Sequence, residues 1–389
     1  MTTIGIDALG LATPAFDLDL TELAQARGVA PAKFTIGIGQ DVQAVAPSSQ
    51  DAVTLGAAAA LEVLTPANRA AIGLVVLATE TGVDASKAGA LYIQALLDLP
   101  ANLRAVELKE ACYGGTAGLM LARDYVAAHQ QRTALVIASD IARYGLATPG
   151  EVTQGAGAIA MLVTAAPRLL ALADDSAYRS QSIMDFWRPV YTDTALARGK
   201  YSTEQYLKFF ADCWADYQAA TGRTLADFAA LTFHLPYTKM GLKALRSVLP
   251  QAAAADQERL QQRFDLSARY SRQIGNLYTG SLYLSLVSLL EHDATLQAGD
   301  RIGLFSYGSG AVGEFFSATL VPGFASQLHR ADHEALLAAR RQLSVAEYER
   351  VFTDKVPYAA ADYQADPAYF AGPFVLTGVT NQERQYQVR

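Results

Sequence analysis

Five short runs of nearly unbroken apolar residues, at 73–79, 133–139, 158–164, 229–234 and 301–306, constrain this chain more than any other feature. A strand with one wet face alternates, so unbroken runs of this length read as strands covered on both faces. Helical periodicity fills the intervals, at 51–64, 86–97, 115–128, 203–219 and 281–291. Strands interleaved with helices predict an α/β body. The pattern also repeats: 73–82 lies over 229–239, 115–129 over 280–292, and 133–145 over 301–313. Each set runs strand, polar tip, helix, strand, small-residue turn, which predicts two duplicated halves, 1–166 and 167–389. Residues 174–201, polar and aromatic without periodicity, read as a capping segment. Residues 323–389 read as a helical extension, with one charged helix near 331–350, packed back on the body.

Of the 389 residues 51% are hydrophobic and 18% charged, ample to bury a large core, which excludes a disordered chain. Lys and Arg number 31 against 38 Asp and Glu, a formal charge of −7. Such a surface repels a polyanion, so nucleic acid is not an expected partner, although a few local cations still suffice to hold a small anionic ligand. The two cysteines, Cys112 and Cys213, are too few and too far apart for a disulfide framework or a thiolate metal site, and point to a reducing compartment. Asp7 interrupts the N-terminus before any secretory apolar run develops, and the longest uncharged stretch, 152–167, is shorter than the ~20 residues a membrane span needs. The expectation is a cytoplasmic protein with no membrane partner. H-E-x-x-H, paired C-x-x-C, the phosphate-loop motif and G-x-S-x-G are all missing, and Gly155-Ala-Gly157 lacks the full dinucleotide fingerprint, so neither a metal nor a nucleotide cofactor is expected.

The chemistry-bearing residues cluster at strand ends and glycine turns. Cys112, in Glu110-Ala-Cys-Tyr-Gly-Gly115, stands just before a helix rich in small residues. A helix N-terminus favours the thiolate, and the glycines let substrate approach, so Cys112 is the candidate nucleophile. Cys213 falls instead on the apolar stripe of a helix and reads as core. Glu80 ends an apolar strand, where burial raises a carboxyl pKa and suits it to act as a base, although a solvated turn is as good a reading of that residue alone. Of five histidines only His234 occupies a similar strand end. Asn276 in Gly275-Asn-Leu-Tyr278 and Ser309 in Ser306-Tyr-Gly-Ser-Gly310 lie in turns that are either structural or open enough to supply oxyanion-binding N–H groups. Lys239 and Lys243 share a helix face behind His234, either simply solvated or able to capture an anion.

Ala78-Thr-Glu80, Glu110-Ala-Cys112-Tyr-Gly-Gly, Phe233-His234-Leu-Pro-Tyr237, Gly275-Asn276-Leu-Tyr278 and Phe305-Ser-Tyr307-Gly-Ser-Gly310, in this order, resemble the bacterial-type 3-hydroxy-3-methylglutaryl-CoA synthases. Ser139-Asp140 and Asp185-Phe-Trp-Arg-Pro189 add to the resemblance. It implies a thiolase-like fold, two halves forming a five-layered αβαβα body, as a homodimer. It further implies an acyltransferase that condenses acetyl-CoA with acetoacetyl-CoA in the mevalonate route, with CoA thioesters as substrates and no cofactor. By the same resemblance Cys112 carries the acetyl group, Glu80 removes its methyl proton, and His234 polarises the acetoacetyl-CoA carbonyl. Backbone N–H groups near Cys112 and Ser309 bind oxyanions, Asn276 and Tyr307 hold the second substrate, and Lys239 and Lys243 meet CoA phosphates. Tyr113, Asp140, Tyr144 and Asp185 complete the implied substrate-binding set, the last three supporting it less directly. A β-ketoacyl synthase III-like enzyme also uses Cys, His and Asn on this fold, but needs no base at the position of Glu80.

Overall fold

The computed structural model describes residues 3–389. Nine strands form its central sheet, in the spatial order Ala230–Phe233, Arg301–Gly308, Val312–Leu320, Leu170–Ser180, Ile4–Ala12, Gly155–Ala165, Thr133–Ala142, Ile72–Ala78 and Arg104–Leu108. The two halves meet where Leu170–Ser180 pairs with Ile4–Ala12. Counted outward from that junction, both halves place their first strand innermost, then their last, then the one before it, then their second, with Arg104–Leu108 added at the N-terminal edge. The pairings repeat too: Ile72–Ala78 with Thr133–Ala142 is parallel, as is Ala230–Phe233 with Arg301–Gly308, and the inner pairs of both halves are antiparallel. The helices Gly114–Ala128 and Ser281–His292 occupy matching places in this order. The repeat expected from the sequence is thus a repeat of topology.

The five apolar runs all form strands of this sheet, and Ile72–Ala78 is buried along its whole length. The main core spans both halves, and a second core in the C-terminal half is built on aromatics such as Phe210, Trp214, Phe305 and Phe315. Cys213 belongs to that aromatic core, where burial pushes its thiol up to about 12. No helix among the described residues is long and apolar enough to cross a membrane.

Two expectations need correction. The first part of the supposed capping segment, through Ser180, belongs to the strand Leu170–Ser180, whose Asp174, Asp175 and Arg179 hide it from an apolar-run reading. Only the residues beyond it leave the sheet: they form a hairpin closed by Phe186–Trp187 against Leu196–Ala197. The C-terminal extension is likewise not one helix. Arg330–Ala338 and Val345–Thr353 are separate, because the two-residue strand Arg341–Gln342 pairs with Phe16 and Asp17 between them. Ser344 starts the second helix with a capping box: its hydroxyl accepts from the Glu347 N–H while the Glu347 carboxylate accepts from the Ser344 N–H. The chain then closes in a three-stranded sheet, Tyr363–Gln364, Phe374–Thr380 and Glu383–Val388.

Candidate active site

Strand ends and glycine contacts from both halves build one site. Ile72–Ala78 delivers Glu80, and the loop before Gly114–Ala128 delivers Cys112. The Cys112 thiol donates a hydrogen bond to Glu80 Oε1 at 3.0 Å. Ala111 holds a left-handed backbone, φ 41°, a conformation that costs a non-glycine residue about 1 kcal/mol or more and persists where surrounding structure fixes it. A side chain at Gly308 would run into Glu110 O and Tyr113, and one at Gly115 into Thr279 O. These two glycines therefore let the Ser309 turn and the Asn276 loop, both from the C-terminal half, close on the Cys112 loop.

Asp140 ties the loops together. Its Oδ1 accepts from the Glu80 and Thr81 N–H groups at 2.7 and 3.1 Å and from the Thr79 and Thr81 hydroxyls at 2.9 and 2.8 Å. Its Oδ2 accepts from the Thr279 N–H at 3.1 Å and the Thr279 hydroxyl at 2.5 Å. The Asp140 oxygens are committed in this way to the loops that carry Glu80 and Thr279. Asp185 acts similarly, accepting from the Tyr307 hydroxyl at 2.8 Å and the Gly310 N–H at 2.9 Å, so Tyr307 also spends its hydroxyl on the protein. Tyr113 donates to the buried Glu314 at 2.6 Å, which braces the loop that carries Cys112. Neither Tyr113 nor Tyr307 offers that proton to a substrate in this arrangement.

Asn276 keeps one. Its Oδ1 accepts from the Tyr278 N–H and the Ser281 hydroxyl, which fixes the amide and turns Nδ2 toward the Tyr144 hydroxyl, 3.3 Å away. His234 is buried behind the strand Ala230–Phe233, with its N–H bonded to Phe305 O and its own carbonyl accepting from the Tyr206 hydroxyl. Its Nδ1 has no hydrogen-bond partner, and its side chain bonds neither Cys112 nor Glu80. Lys239 and Lys243 follow on the helix Thr238–Val248, half-buried and exposed respectively, neither in an ion pair among the described residues.

Electrostatics overturn one expectation. Burial, then the neighbouring Glu80, push the Cys112 thiol well above its ordinary value, so the helix N-terminus does not leave a standing thiolate. The Tyr113 and Gly114 N–H groups are also already taken, by Glu110 O and Ala111 O. Glu80 itself is raised to about 8 by burial and by Asp140, with the Cys112 hydrogen bond opposing. His234 is driven the other way, to about 3, by burial alone, and stays neutral at physiological pH. Near neutral pH the thiol is therefore protonated and Glu80 is mostly so, and the fraction of Glu80 that ionises as pH approaches 8 is the carboxylate that can take the thiol's proton.

Several residues of this assembly escaped sequence reasoning. Thr279 and Tyr278 were visible only as part of a glycine-flanked turn, and Glu314 was a lone carboxylate in the unrecognised strand Val312–Leu320. Thr279 is buried beside Asp140, and an isolated hydroxyl or carboxylate within an apolar stretch was the one available signal.

The N-terminal family model of hydroxymethylglutaryl-coenzyme A synthase matches residues 1–167, and the C-terminal model matches 246–389. The chain belongs to the hydroxymethylglutaryl-CoA synthase family. It is 51% identical over 385 residues to the hydroxymethylglutaryl-CoA synthase of Enterococcus faecalis, covering 99% of this chain and 100% of that one. A solved HMG-CoA synthase complexed with CoA superimposes with a TM-score of 0.97 at 46% identity, over 100% of both chains. A more distant relative is the polyketide 3-hydroxy-3-methylglutaryl-ACP synthase PksG of Bacillus subtilis, 31% identical over 90% of this chain and 88% of that one. The fold shared with these structures is the thiolase-like one, and the β-ketoacyl synthase III-like alternative is not favoured.

Proposed function

We propose that this chain condenses acetyl-CoA with acetoacetyl-CoA and water to 3-hydroxy-3-methylglutaryl-CoA and CoA, through an acetyl group carried on Cys112. The observation that carries the reading is the 3.0 Å hydrogen bond from the Cys112 thiol to Glu80. Glu80 takes the thiol proton as sulfur attacks the acetyl carbonyl, and CoA departs with that proton as a thiol. The carboxylate thus regenerated stands beside the new thioester, placed to remove a methyl proton. Backbone N–H groups at Cys112 and in the Ser309 turn stabilise the oxyanion and the enolate, a contribution typically of several kcal/mol. The enolate attacks the ketone of acetoacetyl-CoA. Neutral His234 and Asn276 Nδ2 hydrogen-bond the oxygen as it gains charge, and it becomes the tertiary alcohol by taking up one proton, which balances the methyl proton that Glu80 removed and gives up again. Water then cleaves the Cys112 thioester and restores the thiol.

Acetoacetyl-CoA enters after the first CoA has left, and the unpaired Lys239 and Lys243 suit an entrance that meets CoA phosphates twice per cycle. The chemistry as written needs no cofactor, and its product feeds the mevalonate route. Two free thiols support a reducing, cytoplasmic setting. A homodimer is supported by the edge strand Arg104–Leu108, which exposes Val106 between helices that expose Leu91 and Leu121, since an uncovered edge of this kind invites a second copy. The test is CoA release from both substrates together and from each alone, with the product identified by mass. Release that depends on both, with the mass of 3-hydroxy-3-methylglutaryl-CoA, is the expected result. Release from acetyl-CoA alone, without a condensed product, contradicts it.

A further inference from the structure

The helix Val345–Thr353 belongs to the C-terminal extension and lies outside the acyl-transfer chemistry, yet buried hydrogen bonds join it to the active-site loops. Tyr348, Val351 and Phe352 share one face of this helix, and Tyr348 and Val351 enter a small core with Leu18, Leu20 and Leu23. The Tyr348 hydroxyl accepts from Gln154 Nε2 at 2.8 Å and donates to Glu151 Oε1 at 3.2 Å. The other end of the Gln154 amide, Oε1, accepts from the Tyr144 N–H at 2.8 Å. Glu151 is held in turn by Arg27, whose Nε and Nη2 donate to its two oxygens at 2.8 Å each, and by the Ala147 N–H at 3.0 Å. Tyr348, Gln154 and Glu151 are all buried, and both ends of the Gln154 amide are spoken for. A buried network satisfied in this way fixes the groups it joins.

The same stretch of chain also meets the partner of Tyr144. Gly155 pairs with Gly275, and a side chain on Gly155 would run into the Asn276 nitrogen. Residues 154 and 155 therefore place both sides of the 3.3 Å contact between Asn276 Nδ2 and the Tyr144 hydroxyl. The helix takes a second hold one residue away. Arg143 Nη1 donates to Phe352 O at 2.8 Å, and its guanidinium lies 4.7 Å from the centre of the Phe352 ring.

We propose that Tyr348 is a positioning residue for the condensation step: through Gln154 it holds Tyr144, and so aims Asn276 Nδ2 at the ketone oxygen of the second substrate. The inference rests on the role given to Asn276 under the proposed function. Without the Tyr348 hydroxyl, Gln154 Nε2 is left buried with no acceptor, and the amide turns to find one, which releases the Tyr144 N–H. The aim of Asn276 is then lost, while the hydrogen bond between Cys112 and Glu80 lies outside the network and is kept.

The experiment follows acetyl-Cys112 formation from acetyl-CoA and condensation with acetoacetyl-CoA separately, in the unaltered chain, Tyr348→Phe, Gln154→Met and the double variant, with thermal unfolding as the check on folding. Phe keeps the ring in its core and removes only the hydroxyl. In Tyr348→Phe, kcat for condensation falls by about tenfold or more while acetylation and the KM for acetoacetyl-CoA hold, since the lost interaction is made as charge develops. Gln154→Met falls as far, and the double variant no further, because the two residues act in series. Condensation at the unaltered rate in folded Tyr348→Phe overturns the proposal, as do losses that multiply in the double variant. Equal losses of acetylation and condensation also overturn it, being the mark of a chain that is merely less well folded. Absence of 3-hydroxy-3-methylglutaryl-CoA from the unaltered chain overturns the condensation reading instead, so the two failures are distinguishable.

Discussion

Glu80 and His234 stand just beyond the ends of equivalent strands in the two halves, Ile72–Ala78 and Ala230–Phe233, and burial acts on them in opposite senses. Removing water disfavours whichever form is charged, so it brings the carboxyl up to about 8 and takes the imidazole down to about 3. One becomes a group that exchanges a proton near neutral pH. The other becomes a permanently neutral hydrogen-bonding group. The duplicated fold thus provides two similar desolvated positions, and the residue placed in each decides whether it suits proton transfer or polarisation.

The largest effect expected from breaking this pairing comes at Glu80. Glu80→Gln keeps the shape and loses the base, so condensation falls by about 10²–10⁴-fold in a product assay. It also raises thermal stability at pH 8. A carboxyl whose pKa is raised on folding holds its proton more tightly in the folded state, so its ionisation opposes folding above the unfolded value near 4.5, and the glutamine does not ionise. His234→Ala acts on the second step only: turnover with acetoacetyl-CoA drops by about 10²-fold while acetyl-Cys112 still forms from acetyl-CoA, as pre-steady-state mass measurements check.

A smaller effect sharpens the comparison with a second buried histidine. Burial alone would push His333 down as it does His234, but its Nδ1 meets Glu291 at 2.8 Å and its Nε2 meets Glu62 at 3.2 Å, and those carboxylates raise it to about 9. Tyr270 donates to the same Glu291, so the cluster joins the C-terminal extension to both halves. The folded state binds this proton more tightly than the unfolded chain. Its stabilisation is therefore complete below about 6.5 and is lost as pH rises through 9. His333→Gln should cost roughly 3 kcal/mol at pH 6 and far less at pH 10, measured by denaturant unfolding at the two values.

What was legible in the sequence follows from the range of the forces involved. The sheet's buried strands announce themselves because continuous burial demands continuous apolarity; Glu80 and His234 stand out as polar residues at the ends of such runs, and Cys112 as a thiol just before a helix rich in small residues. The strand Leu170–Ser180 did not, because one stretch of it is solvated and carries charge. The break between Arg330–Ala338 and Val345–Thr353 depends on pairing with Phe16 and Asp17, far away in the chain. The protonation of Cys112 was misread for a related reason: the helix N-terminus is a local feature, whereas the opposing burial, Glu80 and Asp140 arrive through the fold. Asp140 was reached only through the family resemblance, and only the structure shows its oxygens spent on Thr79, Glu80, Thr81 and Thr279.

The central claim is that Cys112 and Glu80 share one proton, and the pH dependence of acetyl-Cys112 formation from acetyl-CoA, in the unaltered chain and in Glu80→Gln, tests it most directly. The account predicts a rate that rises with pH through a midpoint near 8 in the unaltered chain, and a slow rate in Glu80→Gln that lacks this rise and climbs only at more alkaline pH. Acetylation of Glu80→Gln at the wild-type rate, with the wild-type profile, would show that Cys112 ionises without its neighbour and would contradict the account.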